Sequence, residues 1–130
     1  MSSAIEAVVV AFIDAINAHD VDRIVALCTS DHQFVDAFGA VMPAEQLRAG
    51  WDGYFKFMPR YGIEREDMIC HDDLVAVFGY AWGGLDVDPG GSRQWRRPAA
   101  WRARVRDGQV ALWQVYVDTK IVFDLLASGN

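Results

Sequence analysis

The sequence predicts an α+β fold in which N-terminal helices pack on one face of a curved antiparallel sheet. In the first half of the chain, apolar residues recur at the three- and four-residue spacings that are typical of helices. In the second half they alternate with polar residues or form Val-rich and aromatic runs, as strands do. Helices followed by a run of strands favour the α+β class. Because the chain has 130 residues, of which 52% are hydrophobic, we expect residues 1–130 to form a single domain.

Two helices are predicted near the N-terminus. The first covers residues 4–18, where one apolar stripe is formed by Ile5, Val8, Val9, Phe12 and Ile16. Asp20 then suits the N-cap of a second, short helix that runs to Cys28. A polar turn is expected over residues 29–31.

A strand and a third helix are predicted next. Residues 33–38 form the candidate strand, which Gly39 ends. Pro43 suits the first turn of the helix, and Pro59 stops it. The apolar and aromatic residues at helical spacing between them are Leu47, Trp51, Tyr54, Phe55 and Met58.

The rest of the chain is predicted to be mainly strands, at residues 63–70, 74–82, 94–106 and 109–117. Residues 71–73 and the pair Asp107–Gly108 suit tight turns, and residues 86–92 suit an exposed loop. Asp118 suits the cap of a last short helix through Leu126. Alternation between residues 94 and 106 predicts one inward face, made of Trp95, Ala99, Trp101, Ala103 and Val105.

Composition argues against several classes of function. The formal net charge of −6 disfavours nucleic acid as a partner. No apolar run is long enough to cross a bilayer, and the N-terminus lacks the basic start of a signal peptide, so we expect a cytoplasmic protein without a membrane partner. The two cysteines and three histidines show no metal-ligand spacing, and we expect neither a metal nor an organic cofactor.

Several segments, taken in order, resemble the SnoaL-like group of the nuclear transport factor two-like superfamily. They are FIDAINAHD at residues 12–20, IVAL at 24–27, FVD at 34–36, DGQV at 107–110 and YVD at 116–118. The group includes ketosteroid isomerases, limonene epoxide hydrolases, scytalone dehydratases and polyketide cyclases. The resemblance implies a cone-shaped, cystatin-like fold with a deep pocket, and a homodimer that forms through the sheet. It does not by itself identify an activity.

Asp36 is the candidate catalytic residue. Strand alternation predicts Phe34, Asp36 and Phe38 on one face, where two phenyl rings would make a carboxylate a better proton acceptor if that face lines a pocket. The resemblance also places Asp36 at the catalytic base of the isomerases. The alternative is that Val35 and Ala37 face inward and Asp36 is a solvated acid at the strand end.

His32 is the second candidate catalytic residue, because it shares its strand parity with Asp36 and could form an acid–base pair with it. Its position at the start of the strand favours exposure to solvent. His19 and His71 lie in predicted turns, where we expect them to be solvated.

The resemblance also indicates which known sites are incomplete. The oxyanion-hole tyrosine of the isomerases corresponds to Phe12, which has no hydroxyl group, and their protonated aspartate falls at or near Trp101. The acid that hydrolases and cyclases carry on the last strand corresponds to Val115. Authentic steroid isomerase activity is therefore not expected.

Aromatic residues dominate the predicted binding site, because five Trp, four Tyr and seven Phe are many for this length. The alternative for such residues is that they only fill the core. Arg97 is the candidate for an anionic group at the pocket mouth, although an arginine-rich strand face is more typical of a solvated or dimer-facing surface. The predicted substrate-binding residues are Phe12, Phe34, Phe38, Trp51, Tyr54, Phe55, Tyr80, Trp82, Arg97, Trp101, Trp113 and Val115.

Three functions are consistent with these residues. The first is a cofactor-independent isomerase, lyase or cyclase that acts on an apolar polycyclic or terpenoid-like substrate, with Asp36 as general acid or base. The second is a non-catalytic binding protein for a hydrophobic small molecule. The third is a dimeric interaction module whose vestigial pocket is filled by Trp51 and Trp101.

Overall fold

The computed structural model describes residues 4–85 and 93–128, so the loop predicted over residues 86–92 lies outside the described residues. None of the helices in those two segments is long and apolar enough to span a bilayer. The helices of the described chain are α1 (Ala4–Asn17), α2 (Val21–Ala26), α3 (Leu47–Phe57) and α4 (Lys120–Ser128). The strands are β1 (Cys28–Val35), β2 (Val41–Pro43), β3 (Gly62–His71), β4 (Leu74–Gly84), β5 (Gln94–Arg106) and β6 (Gln109–Val117).

The six strands form one sheet in the order β2-β1-β6-β5-β4-β3. The predicted α+β class, with helices packed on a curved sheet, is confirmed. The sheet differs from the prediction in one respect, because β1 pairs with β6 in parallel while every other pair is antiparallel. Two-residue turns join β3 to β4 and β5 to β6 and allow only antiparallel pairing there, whereas the long connection between β1 and β6 allows a parallel pair.

The predicted alternation in β5 is confirmed. Its odd-numbered positions are buried, except for the half-buried Arg97, and its even-numbered positions face outward. On the outer face three arginines pair with acids: Arg96 with Glu64 (3.0 Å), Arg104 with Asp73 (2.8 Å) and Arg106 with Asp31. The inner face meets the helices, and the inward residues of β5 are Trp95, Ala99, Trp101, Ala103 and Val105.

The predicted caps and hairpin are also confirmed. The Asp20 side chain accepts a hydrogen bond from the Arg23 N–H (3.1 Å), which fixes the start of α2. Asp118 Oδ1 accepts from the Lys120 N–H (2.9 Å) at the start of α4. Asp107 and Gly108 both have positive φ, 53° and 76°, as a two-residue hairpin of this twist requires.

The region around β1 differs from the prediction. The segment 29–31 is not a turn, because β1 begins at Cys28 and pairs with β6, and Val110 N–H donates to the Leu27 carbonyl (2.7 Å). Strand pairing therefore overrides the turn preference of these polar residues. The short strand β2 was missed because three residues carry no periodic signal. Pro43 ends β2 and precedes a 3₁₀ turn, Ala44–Gln46, so that α3 begins only at Leu47.

Candidate functional site

A cavity of about 390 Å³ lies between α3, the end of β1, the inner face of β6 and α4. Its wall is mainly apolar and aromatic. The residues that line it are Phe34, Asp36, Ala37, Phe38, Met42, Gly50, Trp51, Tyr54, Phe57, Met58, Tyr61, Ala81, Trp95, Trp113, Val115, Val117, Asp118, Thr119, Val122, Phe123 and Leu126. We call this region the open end of the interior.

Aromatic rings in edge contact build one wall of the cavity. Phe34 on β1 meets Trp51 on α3 with ring centroids 5.4 Å apart and planes at 69°. Tyr54, one turn further along α3, meets Tyr61 at 5.0 Å and 81°. Tyr61 in turn approaches Trp95, at 6.4 Å. Edge-to-face contacts hold aromatic rings in defined orientations, so this wall is ordered.

The two tyrosines on this wall remain neutral phenols. Burial raises the pKa of Tyr54 well above its ordinary value, and the neighbouring Tyr61 raises it further. Burial also raises the pKa of Tyr61, and the Trp101 indole beside it lowers that pKa by a smaller amount. Both hydroxyl groups therefore keep their protons and are hydrogen-bond donors across the physiological pH range.

Asp36 lies at the mouth of the cavity, in the turn that follows β1. Its Oδ1 accepts hydrogen bonds from the Phe38 N–H (2.9 Å) and the Ala40 N–H (3.0 Å). The prediction that Phe34, Asp36 and Phe38 alternate along one strand is wrong, because the strand ends at Val35 and this turn replaces it. All three side chains nevertheless line the cavity.

The opposite side of the mouth is formed by α4. Phe123 on this helix meets Phe38 edge-on, with ring centroids 6.0 Å apart. Both side chains are largely exposed, at 55% and 70%. The second carboxylate at the cavity, Asp118, already accepts the capping hydrogen bond of α4.

A second group of aromatic side chains forms a closed end, which is buried and does not border the cavity. It consists of Phe12, His32 and Trp101, and Trp113 separates it from the cavity. The Phe12 ring meets Trp113 at 5.0 Å, and Trp113 stacks on Trp101 at 6.3 Å. Phe12 and Trp101 do not line the cavity, so the structure does not bring these two predicted binding residues to it.

His32 also belongs to the closed end, and the expectation that it is exposed is wrong. Its side chain is only 1% exposed, because Nδ1 is bound to the Val110 carbonyl (2.6 Å) across the parallel strand pair. Burial lowers the pKa of His32, and the hydrogen bond to Val110 opposes that change. With Nδ1–H as the donor, Nε2 carries a lone pair that meets no hydrogen-bond partner among the described residues. The structure does not place His32 beside Asp36 in the cavity.

Other predicted binding residues lie away from the cavity wall. Phe55 stacks on His19 (4.0 Å, 8°), and His19 itself binds the Tyr61 carbonyl (2.7 Å) instead of being freely solvated. Tyr80 and Trp82 occupy outward positions of β4, since Ala81 between them faces inward. Tyr80 lies under the Arg96 guanidinium, 3.6 Å from the ring centroid.

Arg97 is also away from the cavity. It donates from Nη1 to the Arg96 carbonyl (3.0 Å). Of the predicted binding residues, the structure brings six to the cavity, namely Phe34, Phe38, Trp51, Tyr54, Trp113 and Val115. Their role in binding, like that of Asp36, stays a prediction.

Sequence reasoning missed several cavity residues. Tyr61 lies between Pro59 and β3, where neither helical nor strand periodicity gives a signal. Strand alternation placed Trp95 correctly on the inward face of β5, but the residue was not assigned to the site. Its inward position on β5 could have indicated that it belongs there. Phe57 and Phe123 lie on helices whose distance from the sheet cannot be obtained from their own spacing.

The described residues contain no group of three His, Cys, Asp or Glu side chains that could hold a metal ion. The chemistry available at the open end is thus that of a hydrophobic binding site with phenol and indole donors and one carboxylate at the mouth.

Comparison with known protein families identifies the family of this chain. The family model of the SnoaL-like domain matches residues 9–113. A search of curated proteins finds no match.

Solved structures with the same fold cover nearly the whole chain. A proposed SnoaL-like polyketide cyclase from Shewanella denitrificans has a TM-score of 0.83 at 15% identity, over 98% of this chain and 99% of that one. IdmH, a proposed polyketide cyclase from Streptomyces antibioticus, has a TM-score of 0.78 at 19% identity, with 95% and 98% covered. A hypothetical protein with a ketosteroid isomerase-like fold from Catenulispora acidiphila, solved in complex with trimethylamine, has a TM-score of 0.79 at 20% identity, with 91% and 90% covered.

Proposed function

The chain belongs to the SnoaL-like domain family, and from that premise we propose that it binds a planar, mainly apolar small molecule in the cavity at its open end. The observation that carries this proposal is the cavity itself, with its aromatic wall and about 390 Å³ of space. That volume lies within the range of small-molecule sites in proteins, roughly 300–1,000 Å³. Edge-packed rings such as Phe34, Trp51 and Tyr61 suit the faces and edges of a fused-ring ligand.

The names of the structural relatives support the same class of ligand. Two of them are proposed polyketide cyclases, although at below 25% identity the likeness extends only to the fold. The interaction-module hypothesis is less well supported, because Trp51 borders the cavity without filling it and Trp101 lies in the closed end.

Binding can be tested with a panel of steroid-like, terpenoid and aromatic polyketide compounds. We expect planar members to quench tryptophan fluorescence and to raise the melting temperature. Trp51→Phe and Trp95→Phe should each remove part of the quenching, because both indoles line the cavity. If no compound changes either signal up to its solubility limit, the cavity is not a binding site for this class.

A second candidate function is proton transfer by Asp36, and a specific observation favours it. Asp36 Oδ1 is held by two backbone N–H groups, whereas no described residue donates a hydrogen bond to Oδ2. One oxygen thus fixes the carboxylate at the cavity mouth while the other stays available to a ligand. The corresponding reaction class is isomerase, lyase or cyclase.

The test uses an enolisable bicyclic ketone, 2-tetralone, in deuterated buffer. If Asp36 is a base, the protein should accelerate exchange of the protons next to the carbonyl group, as followed by NMR. Asp36→Asn retains an acceptor for the two backbone N–H groups but removes the base. It should therefore abolish the acceleration and leave binding and stability near neutral pH little changed. Equal exchange by the wild type and the Asn variant would remove Asp36 from the catalytic role.

We also propose that the chain forms a homodimer through the outer face of the sheet. Phe78 on β4 and Tyr116 on β6 lie in register through Ala100 and are 44% and 47% exposed. Ile69 on β3 extends this apolar face. Light scattering at micromolar concentration should give twice the monomer mass, and Tyr116→Arg should shift the protein to the monomer. A stable wild-type monomer contradicts the proposal.

A further inference from the structure

The charged side chains that line the cavity are of one sign only. We propose that the cavity mouth, at Asp36, Asp118 and the ring pair of Phe38 and Phe123, binds the protonated amine of a ligand whose apolar part occupies the cavity. The proposal rests on the proposed binding function and adds a charge to the ligand. The amine is a binding contact, and it does not depend on whether Asp36 also transfers protons.

Asp36 provides the first contact for a cation. Its Oδ1 accepts the N–H groups of Phe38 (2.9 Å) and Ala40 (3.0 Å), and no described residue donates a hydrogen bond to its Oδ2. The side chain is half-buried in the cavity wall. Because the turn already fixes this carboxylate, a cation that binds Oδ2 does not have to order it.

Asp118 brings a second negative charge to the cavity from the start of α4. Its Oδ1 accepts the Lys120 N–H (2.9 Å), and no described residue donates a hydrogen bond to its Oδ2. Lys120 does not bind this carboxylate with its amine, because its Nζ pairs with Asp124 Oδ2 at 2.7 Å. Asp118 is therefore also available to a cationic ligand.

No lysine, arginine or histidine is among the described residues that line the cavity. Arg93, which precedes β5, donates to the Leu125 carbonyl (3.1 Å), and Arg97 donates to the Arg96 carbonyl (3.0 Å). An anionic ligand would thus lose hydration and meet two carboxylates, whereas a cation would be attracted by both. The formal net charge of −6 also favours the approach of a cation.

The aromatic rings of the mouth suit the charged end of such a ligand. Phe38 and Phe123 meet at 6.0 Å and remain 70% and 55% exposed. The face of an aromatic ring attracts an ammonium group within about 6 Å, and at an exposed site the ammonium keeps part of its hydration. Phe34 and Trp51, in contact at 5.4 Å, continue the wall inward for the apolar part.

The experiment compares three ligands that share one ring system, namely 2-naphthylmethylammonium, 2-naphthalenemethanol and 2-naphthoate, by calorimetric titration at neutral pH. We expect the ammonium compound to bind most tightly and the carboxylate to bind most weakly. Added salt should weaken binding of the ammonium compound and leave binding of the alcohol unchanged.

Asp36→Asn keeps the acceptor for the two backbone N–H groups and removes the charge. It should weaken binding of the ammonium compound roughly three- to tenfold and leave binding of the alcohol unchanged, which a damaged site would not do. Asp107→Asn is the matched control, because it changes the net charge equally in the hairpin between β5 and β6, outside the cavity. It should change neither.

The outcomes separate this proposal from the proposed function. If the three ligands bind equally, if naphthoate binds most tightly, or if Asp107→Asn weakens ammonium binding as much as Asp36→Asn, the charge inference is overturned while the proposed binding function stands. The same holds if none of the three binds but an uncharged member of the compound panel does. If no compound binds, the proposed function fails and the inference fails with it.

Discussion

The closed end and the open end of the interior contain the same kinds of side chain in two different packings. At the closed end, Phe12 and Trp101 are at most 1% exposed, and both rings contact Trp113. At the open end, Phe34 and Tyr54 are only partly buried and border a cavity. Aromatic composition therefore does not decide whether a region becomes core or binding site.

The helices account for the difference. The first helix, α1, lies directly on the sheet and contacts β3, β4, β5 and β6. The third helix, α3, makes its main contacts with α2, β2 and the 3₁₀ turn before it. Because α3 contacts the edge of the sheet and not its centre, a gap remains between its aromatic face and β6.

The largest change in stability is expected when a phenyl ring is removed from either end of the interior. Phe12→Ala should lower the free energy of unfolding by about 3–5 kcal/mol, since the ring is fully buried and its neighbours cannot collapse. Phe57→Ala is the matched control at the open end, where the side chain is 41% exposed and should contribute less than about 1 kcal/mol. Urea denaturation measures both. Equal losses would show that the two ends are packed alike.

A second test adds one methylene group to each end. Val110 is fully buried at the closed end, so Val110→Leu should destabilise by about 1–3 kcal/mol. Val115 borders the cavity, so Val115→Leu should change stability by less than about 0.5 kcal/mol and should weaken ligand binding instead. Denaturation and titration of the two variants check this. A large loss of stability in Val115→Leu would mean that the cavity has no room on that side.

A third test uses pH to probe His32 at the closed end. Burial lowers the pKa of His32 in the folded state below its unfolded value of about 6.5. The unfolded chain therefore binds more protons below that pH, and stability falls as the pH is lowered from about 7 to 5. The slope is at most about 1.4 kcal/mol per pH unit for one group.

The measurement for His32 is a series of denaturant titrations between pH 5 and pH 7.5. His32→Asn should flatten the profile, because its amide can donate to the Val110 carbonyl and does not titrate. His71→Asn, at a largely exposed position, is the control and should keep the wild-type slope. A slope that is unchanged in His32→Asn would assign the pH dependence to other groups.

The smallest effect concerns the helix that borders the open end. Gly53 in α3 has nothing within 4 Å of the position that a Cβ atom would take. Gly53→Ala should stabilise the protein by about 0.5–1 kcal/mol through helix propensity alone. Gly50→Ala is the contrast, since its Cβ would lie 2.3 Å from the Met42 sulfur at the cavity. Thermal melts decide whether Gly53→Ala stabilises; destabilisation would contradict the open space found at this position.

The sequence predicted those parts of the fold in which local pattern and tertiary packing agree. The strict alternation of β5 placed Trp95 and Trp101 inward, and the positive φ values at Asp107 and Gly108 agree with the predicted hairpin. The sequence-based prediction failed where a residue's burial depends on a contact with a residue far away in the chain. The burial of His32 depends on the Val110 carbonyl, which no local pattern reveals.

The candidate site was predicted less completely for a related reason. Both faces of β4 are partly apolar, so the sequence does not decide whether Tyr80 and Trp82 face inward or outward. In the structure the small residue Ala81 faces inward, and its two neighbours therefore face outward. Tyr61 lies in an irregular segment without periodicity. The turn at Asp36 depends on hydrogen bonds that the carboxylate makes with Phe38 and Ala40, and strand alternation cannot anticipate them.

The parallel pair of β1 and β6 has a consequence for the order of folding. The strands β3 to β6 are joined by short connections and can pair as they are synthesised, whereas Phe34 and Trp113, paired across β1 and β6, lie most of the chain apart. Closing that loop carries the largest entropy cost in the sheet, so we expect it to be among the late steps. Phe34, Trp113 and Val115 line the cavity, which therefore cannot exist on a nascent chain until β6 has left the ribosome. A ligand of the cavity would thus stabilise the finished protein without assisting its synthesis.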